Sequence, residues 1–201
     1  MSHDKHQHFY DSLAAEWDLM FTAEDMERLS HLVDGLEIDD GWHILDLGCG
    51  TGVLFDMLRR RVGPSGTVTG VDFSLQMASR AHRNFPFDNV NVVGADATNL
   101  PFKADTFDMA VSFASFDNFA DQQKALVEAH RVLRTGAQFC IIYLVSSKEL
   151  SEEHRQTGGL LAADKLPPRE KMLELFDRSN FRTVRIEDHP GLYLACAVNV
   201  K

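Results

Sequence analysis

The sequence predicts an α/β fold, a single domain built on a Rossmann-like, doubly wound sheet whose strands are mainly parallel. Short runs rich in β-branched and aromatic residues alternate with longer stretches of helical periodicity, which is typical of βαβ units. The chain has 201 residues, 44% of them hydrophobic and 25% charged, which suits one globular domain with its own core. No internal repeat or Pro/Gly/Ser-rich linker divides it.

The elements follow in a regular order along the chain. Amphipathic helices at 9–20 and 23–35 are expected to cover the sheet, so residues 1–40 form a covering segment and residues 41–201 form the core. The helical stretches between strands are long enough to connect parallel neighbours. The predicted parallel strands are 43–47, 67–71, 90–94, 107–113 and 138–145, and the helices between them are 53–61, 75–84 and 122–134.

The C-terminal part of the chain has a different pattern. Residues 146–168 form a polar stretch, and a helix is predicted at 169–179. Two strand-like runs follow, at 182–187 and 192–200, and the turn-forming residues Asp188, His189, Pro190 and Gly191 separate them. This arrangement favours an antiparallel hairpin at the end of the sheet.

The charge balance argues against a polyanionic partner. The chain carries 20 Lys and Arg against 30 Asp and Glu, a formal charge of −10. A nucleic-acid-binding protein usually presents a basic stripe, whereas the densest basic run here is the short segment 59–61. We therefore expect no nucleic-acid partner.

The cysteines and apolar runs predict a cytoplasmic protein without membrane insertion. Cys49, Cys140 and Cys196 are widely spaced and form no Cys-x-x-Cys pair, so we expect neither a disulfide framework nor a zinc site. The first eight residues are polar, unlike a signal peptide. The longest apolar run, 139–145, is about a third of a bilayer span and suits a buried strand.

The most informative segment is residues 44–52, Ile-Leu-Asp-Leu-Gly-Cys-Gly-Thr-Gly, where a strand runs into three alternating glycines and then a helix. Glycines permit a tight turn and close approach of a ligand, and the helix N-terminus favours a carboxylate or a phosphate. Asp72, at the end of the second strand, is placed to accept from both ribose hydroxyls. Asp96 follows the third strand and could accept from an adenine amine. Together these positions predict a nucleoside ligand with an anionic end.

The glycine segment alone is also compatible with two different roles. The glycines could serve only the packing of a strand-to-helix turn. The second role is dinucleotide binding in an oxidoreductase, which also uses a glycine segment between a strand and a helix. The Gly-x-Gly-x-x-Gly fingerprint of those enzymes is not met here, because Val53 stands where the third glycine would fall.

These residues resemble the class I S-adenosylmethionine-dependent methyltransferases over nearly the whole chain. Residues 45–52 are similar to the family's first motif, which holds the methionine moiety, and residues 70–74 to its acidic ribose motif. Asp96 and Ala97 resemble the adenine-contacting motif. The segment from Phe9 to Asp18 is similar to the cofactor-covering helix of the small-molecule branch typified by quinone methyltransferases.

The resemblance implies a seven-stranded sheet of order 3-2-1-4-5-7-6 with strand 7 antiparallel, in agreement with the predicted hairpin. It also implies S-adenosylmethionine as cofactor and S-adenosylhomocysteine as product, and it identifies the ligand's anionic end as the methionine carboxylate. The predicted cofactor-binding residues are Tyr10, Trp17, Asp46, Gly48, Cys49, Gly50, Gly52, Asp72, Phe73, Met77, Asp96, Ala97 and Phe113.

Methyl transfer from a sulfonium is an in-line displacement, so the protein mainly aligns the acceptor with the methyl group. If the acceptor must lose a proton, a base is needed, and the predicted catalytic residues are His154 and Tyr143. His130 and Asp117 are further candidates by position. Each has a plain alternative: His130 suits a packed helix face, Tyr143 a core hydrogen bond and His154 simple solvent exposure.

The acceptor is expected to be a small molecule. The segment after the fourth strand lacks the Asn/Asp-Pro-Pro-Tyr/Phe motif of amino-methylating DNA enzymes, and no Pro-Cys nucleophile is present. Phe113, Phe116 and Phe119 could line an apolar substrate pocket or belong to the core. Histidines 3, 6 and 8 are interpreted as a solvated terminus, so no metal is predicted. The alternative function is an inactive cofactor-binding sensor or accessory protein, and the oligomeric state is expected to be a monomer or a homodimer.

Overall fold

The computed structural model describes residues 2–201, with side chains from Lys5 onward. Within this range the strands are β1 His43–Leu47, β2 Thr67–Asp72, β3 Val90–Gly94, β4 Phe107–Phe113, β5 Leu133–Tyr143, β6 Phe181–His189 and β7 Leu192–Asn199. They form one sheet of order 3-2-1-4-5-7-6. β1 to β5 are parallel, whereas β7 is antiparallel to both β5 and β6. The predicted sheet, including its C-terminal hairpin, is confirmed.

Helices cover both faces of this sheet. They are α1 Ser2–Leu13, α2 Ala23–Asp34, α3 Phe55–Val62, α4 Leu75–Asn84, α5 Gln122–Val132, α6 Ser147–Thr157 and α7 Arg169–Arg178. On one face α5 and α7 pack through Leu126 and Met172, and on the other α2 and α3 pack through Leu29 and Leu58. All four side chains are fully buried, each contributing about 1.5–3 kcal/mol relative to an exposed position.

Several element boundaries differ from the prediction, three of them near the site or in the centre of the sheet. β5 begins at Leu133, not at 138, because Leu133 already pairs with Phe107 of β4. The helix expected at 9–20 is instead α1, which ends at Leu13, followed by a 3-10 turn at Trp17–Met20. The helix expected from residue 53 begins at Phe55, after the turn that the glycine segment makes.

The polar stretch at 146–168 contains the helix α6 and a 3-10 turn at Leu161–Ala163. Ser146 and Glu149 form a reciprocal capping box at the start of α6. This helix buries no residue, so it lacks the apolar periodicity on which the prediction depended. The Ser-x-x-Glu spacing at 146–149 was the available sequence signal.

The expectation that no cysteines pair is wrong. Cys140 on β5 lies directly opposite Cys196 on β7, and the two form a disulfide with their Cα atoms 4.2 Å apart. The two cysteines are 56 residues apart in the sequence, and only the register of β5 and β7 brings them together, so their pairing could not be predicted from spacing. Cys49 is free and buried. The cysteines therefore give no support to a reducing compartment.

None of the helices within residues 2–201 is both long and apolar enough to cross a membrane.

Candidate active site

Two adjoining cavities open at the carboxyl ends of β1, β2, β3 and β4. The larger has a volume of about 410 Å³, within the range of ligand pockets, and the other is a slot of about 50 Å³. Ligand sites of open α/β sheets lie at this edge. The residues that line both cavities are Gly48, Asp72, Phe73, Asn118 and Phe119.

The glycine segment forms the floor where the cavities meet. Gly48, Gly50 and Gly52 have φ values of +74°, +54° and +92°, which L side chains rarely adopt. A Cβ at Gly48 would lie 2.4 Å from the side chain of Ser115. Gly52 lines neither cavity; its α-carbon faces the rings of Phe55 and Phe85, so at this position the glycine serves packing.

Asp46 is the most unusual side chain of the slot. It is 1% exposed, and neither carboxylate oxygen has a hydrogen-bond partner among the described residues. Burial, with a smaller contribution from the charge of Asp72, raises the pKa of Asp46 to about 8. A buried carboxylate without a partner is costly, so the slot is suited to a ligand that brings a positive charge or several donors.

Asp72 is held in a fixed orientation at the end of β2. Its Oδ2 accepts from the backbone N–H of Gly50 and its Oδ1 from that of Ser74, both at 2.8 Å. Burial raises its pKa to about 6, while these two hydrogen bonds lower it. The carboxylate lines both cavities and is preorganised to receive ligand hydroxyls.

The remaining predicted cofactor residues divide between the two cavities. Asp96 and Ala97 line the larger one, where Asp96 Oδ1 also accepts from the N–H of Thr98 at 2.7 Å. The slot is lined by Cys49, Gly50, Met77 and Phe113, and by Tyr10 and Trp17 from the N-terminal segment.

The N-terminal segment covers the slot. The Trp17 indole lies over Gly50, where its Nε1 would be 3.3 Å from an added Cβ. Asp18 contacts the hydroxyl of Thr51, and Asp11 accepts from Ser74 Oγ at 2.5 Å. These polar contacts hold the N-terminal segment against the glycine segment after β1 and against the turn after β2.

A second cluster of polar groups lies beside the larger cavity. Asp117, 6% exposed, lines this cavity, and its Oδ1 accepts from the Tyr143 hydroxyl at 2.5 Å. Its Oδ2 lies 3.7 Å from His154 Nε2. Burial raises the pKa of Asp117, whereas Tyr143 and His154 lower it. Tyr143 is itself buried, and burial raises its pKa.

The surroundings of His154 determine which ring nitrogen carries the hydrogen and which faces the Asp117 carboxylate. Its Nδ1 lies 3.1 Å from the backbone oxygen of Asp164, and a carbonyl only accepts, so Nδ1 carries the hydrogen. In the neutral ring Nε2 is then free to take a proton on the side of Asp117. His154 and Tyr143 line neither cavity; of the candidate bases, Asp117 does.

The remaining candidates differ in where they lie. His130 lies away from the cavities, 6.0 Å from the Phe181 ring. Phe116 is fully buried in the core, whereas Phe113 and Phe119 line the slot. His6 lines the larger cavity, with Nε2 2.8 Å from Asp164 Oδ2.

The larger cavity also has polar lining residues to which the sequence assigned no role, because no recognised motif contains them. These residues are Asn118, Gln122, Asp164 and Lys165. The side chain of His3 lies outside the described residues, and from Lys5 onward no group of three potential metal ligands is found.

Comparison with known proteins identifies the family. Residues 38–186 match the model of a methyltransferase domain. The chain belongs to the class I S-adenosylmethionine-dependent methyltransferases. The match covers most of the sheet and all of the glycine segment.

Individual relatives of this methyltransferase agree with the family. It is 28% identical to a demethylmenaquinone methyltransferase of Staphylococcus haemolyticus, over 90% of this chain and 87% of that protein. It is 41% identical to the 2-phytyl-1,4-naphtoquinone methyltransferase of Nostoc over 49% of this chain and 44% of that protein. The chain spans about half the length of the first curated relatives it matches.

Among solved structures, the methyltransferase resembles the one in a complex with the Haloferax volcanii Trm112 methyltransferase activator. The TM-score is 0.83 at 20% identity, and the likeness covers 96% of this chain and 98% of that one. This similarity confirms the fold.

The residues present fit the family's cofactor, S-adenosylmethionine. The unpaired carboxylate of Asp46 suits the ammonium group of the methionine moiety, and the glycine segment leaves room for backbone contact with its carboxylate. Asp72 would hold the ribose and Asp96 the adenine amine. When bound, the cofactor supplies an electrophilic methyl group on a sulfonium.

Proposed function

We propose that this chain transfers the methyl group of S-adenosylmethionine to a small-molecule acceptor by in-line displacement. One observation carries the proposal: Asp46, unpaired in the slot, and Asp117, in the adjoining cavity, lie in connected spaces that share Asp72 and Asn118. The slot suits the charged methionine end of the cofactor, and the larger cavity takes the ribose and adenine beside Asp72 and Asp96 and a second polar molecule beside Asp117.

Two observations support a small acceptor. The cavities lie beneath the N-terminal cover, where Tyr10 and Trp17 limit the space above the glycine segment. The formal charge of −10 disfavours a polyanion. The relatives named as quinone methyltransferases also support this class.

In the proposed mechanism the protein orients the acceptor and manages one proton. Asp117 lines the larger cavity, and its Oδ2, the oxygen that is not bonded to Tyr143, accepts a hydrogen bond from the acceptor's nucleophilic atom in this mechanism. The proton passes to Asp117 and then to His154 Nε2, which lies 3.7 Å away. Tyr143 positions Asp117 and does not touch the acceptor. The aromatic side chains that line the two cavities exclude water from the reacting groups.

Calorimetric titration with S-adenosylmethionine, S-adenosylhomocysteine and NAD tests this proposal. We expect binding of the first two and none of NAD; binding of NAD alone contradicts it. Mass spectrometry of a metabolite panel incubated with the cofactor then detects transfer. Tight cofactor binding with no transfer to any panel member would favour the alternative, an inactive sensor or accessory protein. The cytoplasmic location, the single-domain organisation and the monomeric or dimeric state stay predictions.

A further inference from the structure

We propose that Glu128 and Arg131, a pair of side chains on α5, hold Asp96 in place and thereby determine the preference for adenine over other purine bases in the cofactor. This inference rests on the proposed function, in which Asp96 accepts a hydrogen bond from the adenine amine. Glu128 and Arg131 line neither cavity, so they are positioning residues that act through Asp96.

Asp96 lies on a long connection between β3 and β4. Asp72 is the last residue of β2, whereas Asp96 lies two residues beyond the end of β3. The connection, residues 95–106, contains neither a helix nor a strand. Such a segment is held in place only by its packing and by hydrogen bonds to its neighbours. The position of the Asp96 carboxylate therefore depends on what fixes this connection.

A turn at the start of the connection fixes the carboxylate locally. Asp96 Oδ1 accepts from the backbone N–H of Thr98 at 2.7 Å, and the backbone oxygen of Asp96 accepts from the N–H of Asn99 at 2.9 Å. Leu100 follows directly and is buried in the core, 4% exposed. These bonds hold the turn together but do not join it to the rest of the protein, so its position is set from Leu100 onward.

Glu128 and Arg131 bind both backbone groups of Leu100. Glu128 Oε2 accepts from the Leu100 N–H at 2.8 Å, and Arg131 Nη2 donates to the Leu100 oxygen at 2.9 Å. Arg131 Nη1 also donates to the backbone oxygen of Phe102 at 2.6 Å. Two further hydrogen bonds, at 2.8 and 2.7 Å, join Arg131 to Glu128. Because a guanidinium presents its donors in fixed directions, this set of bonds holds the connection in one orientation.

The helix that carries the pair is a rigid support. Leu126 and Ala129 of α5 are fully buried in the core beneath β4 and β5. The first residue of the same helix, Gln122, lines the larger cavity. One packed helix therefore links the cavity to the hydrogen bonds that fix the Asp96 connection. Supporting contacts of this kind keep a binding group in the geometry that its ligand requires.

The position of Asp96 matters because purine bases differ at the group that this carboxylate would meet. Adenine presents an exocyclic amine, which donates, whereas hypoxanthine presents a carbonyl oxygen, which only accepts. A carboxylate also only accepts, so a fixed Asp96 favours the amine and repels the oxygen. If the connection were loose, the carboxylate could move away from the oxygen, and the discrimination between the two bases would fall.

Two ligands that differ only at this group test the proposal on the full chain. They are S-adenosylhomocysteine and S-inosylhomocysteine, with dissociation constants measured by calorimetry. We expect the unmodified protein to bind the first about tenfold tighter or more, and Arg131→Gln to lose most of this preference through weaker binding of S-adenosylhomocysteine. Equal weakening of both ligands overturns the proposal, because it is the result of a purely structural role. An unchanged preference overturns it as well.

The matched control is Arg155→Gln. Arg155 forms a similar pair on α6, where its Nε and Nη2 donate to Glu152 at 3.0 and 2.6 Å, but its side chain is 73% exposed and lines neither cavity. We expect its preference between the two ligands to equal that of the unmodified protein. A loss as large as that of Arg131→Gln contradicts the proposal.

A double-mutant cycle shows whether Arg131 acts through Asp96. Asp96→Ala should abolish the preference, and Arg131→Gln should then reduce it no further. A preference that Arg131→Gln still reduces in the Asp96→Ala protein contradicts the proposal. Should Arg131→Gln fail to fold, as judged by circular dichroism, Glu128→Gln replaces it with the same expected results.

The unmodified protein separates failure of this inference from failure of the proposed function. Binding of S-adenosylhomocysteine and S-inosylhomocysteine with equal affinity overturns the inference and leaves the cofactor in place. Binding of neither ligand contradicts the proposed function itself.

Discussion

Two hydrogen bonds join the hydroxyl of Tyr143 to Asp117 at the ends of the neighbouring strands β5 and β4. The hydroxyl donates to Asp117 Oδ1 at 2.5 Å and accepts from the Asp117 backbone N–H at 2.9 Å. Tyr143 ends β5, and Asp117 lies in the turn after β4. Because both hydrogen-bonding functions of the hydroxyl are used, Tyr143 fixes the carboxylate and is not itself available to an acceptor.

Tyr143→Phe should change the pH dependence of the reaction. The Tyr143 hydrogen bond lowers the pKa of Asp117, so its removal raises that pKa. Since the proposed mechanism needs ionised Asp117, the acid limb of kcat/KM is expected to move to higher pH. A purely structural role for Tyr143 would lower activity without moving this limb.

The matched control is Tyr193→Phe. Tyr193 is also buried, 6.2 Å from the Tyr143 ring, but its hydroxyl donates to the backbone oxygen of Pro167. We expect its acid limb to coincide with that of the unmodified protein. Equal shifts in both variants would show that loss of any buried tyrosine hydroxyl suffices.

His154→Ala should lower turnover and leave cofactor affinity unchanged. His154 receives the proton in the proposed mechanism but lines neither cavity, so its removal takes away proton transfer and no cofactor contact. We expect kcat to fall about 10²-fold, the lower range for general acid–base catalysis. Calorimetry with S-adenosylhomocysteine provides the comparison. Unchanged turnover would show that Asp117 releases its proton without the imidazole.

The cofactor side of the site could be predicted from the sequence more fully than the acceptor side. Gly48, Asp72 and Asp96 each lie at or within two residues of the end of a strand, so a local pattern predicts both their element and their edge of the sheet. Asp164 and His6, on the acceptor side, are 158 residues apart in the sequence but within hydrogen-bonding distance in the structure. No local pattern reports such contacts, because they depend on how separate segments pack.

Gly52 and the cysteine pair illustrate the same limit. The three glycines share one sequence signal, yet packing against Phe85 separates Gly52 from the two that line the cavity floor. Cys140 and Cys196 are visible in the sequence, but their pairing depends on the register of β5 and β7. The existence of the strands was predictable from apolar runs and their order from the family resemblance, whereas register was not.

Asp72→Ala should weaken cofactor binding by about 2 kcal/mol, roughly thirtyfold, because charge-assisted hydrogen bonds to the ribose are lost. The backbone N–H groups of Gly50 and Ser74 would lose their acceptor as well, which loosens the glycine segment. Titration calorimetry measures the change, with Asp88→Ala as the exposed control. An unchanged affinity would overturn the assignment of Asp72 to the ribose.

Asp46→Asn should remove a pH dependence of stability and of cofactor binding. The pKa of Asp46 is raised to about 8 in the folded protein, above its usual value of 3.8, so the folded state holds the proton that the unfolded state releases. Stability of the ligand-free protein therefore falls as the pH rises from about 4 to about 8. Denaturant melts of both proteins across this range measure the difference.

The same carboxylate links binding to proton release. An ammonium group stabilises the ionised form of Asp46, so between about pH 6 and 8 cofactor binding should release a proton and strengthen as the pH rises. Calorimetry in buffers of different ionisation enthalpy detects the released proton. Asp46→Asn should release less. Equal release by both proteins would place the proton elsewhere.

Gly48→Ala should destabilise the ligand-free protein more than Gly136→Ala does. Both glycines have positive φ values, +74° and +81°, so backbone strain is common to the two variants. The added methyl at 48 would lie 2.4 Å from Ser115, whose hydroxyl donates to the backbone oxygen of Leu47, whereas nothing lies within 4 Å of one at 136. We expect an additional loss of about 1–3 kcal/mol for Gly48→Ala, measured by chemical denaturation, with weaker cofactor binding. Equal losses would show that the floor of the cavity can rearrange, and that only its backbone conformation requires glycine.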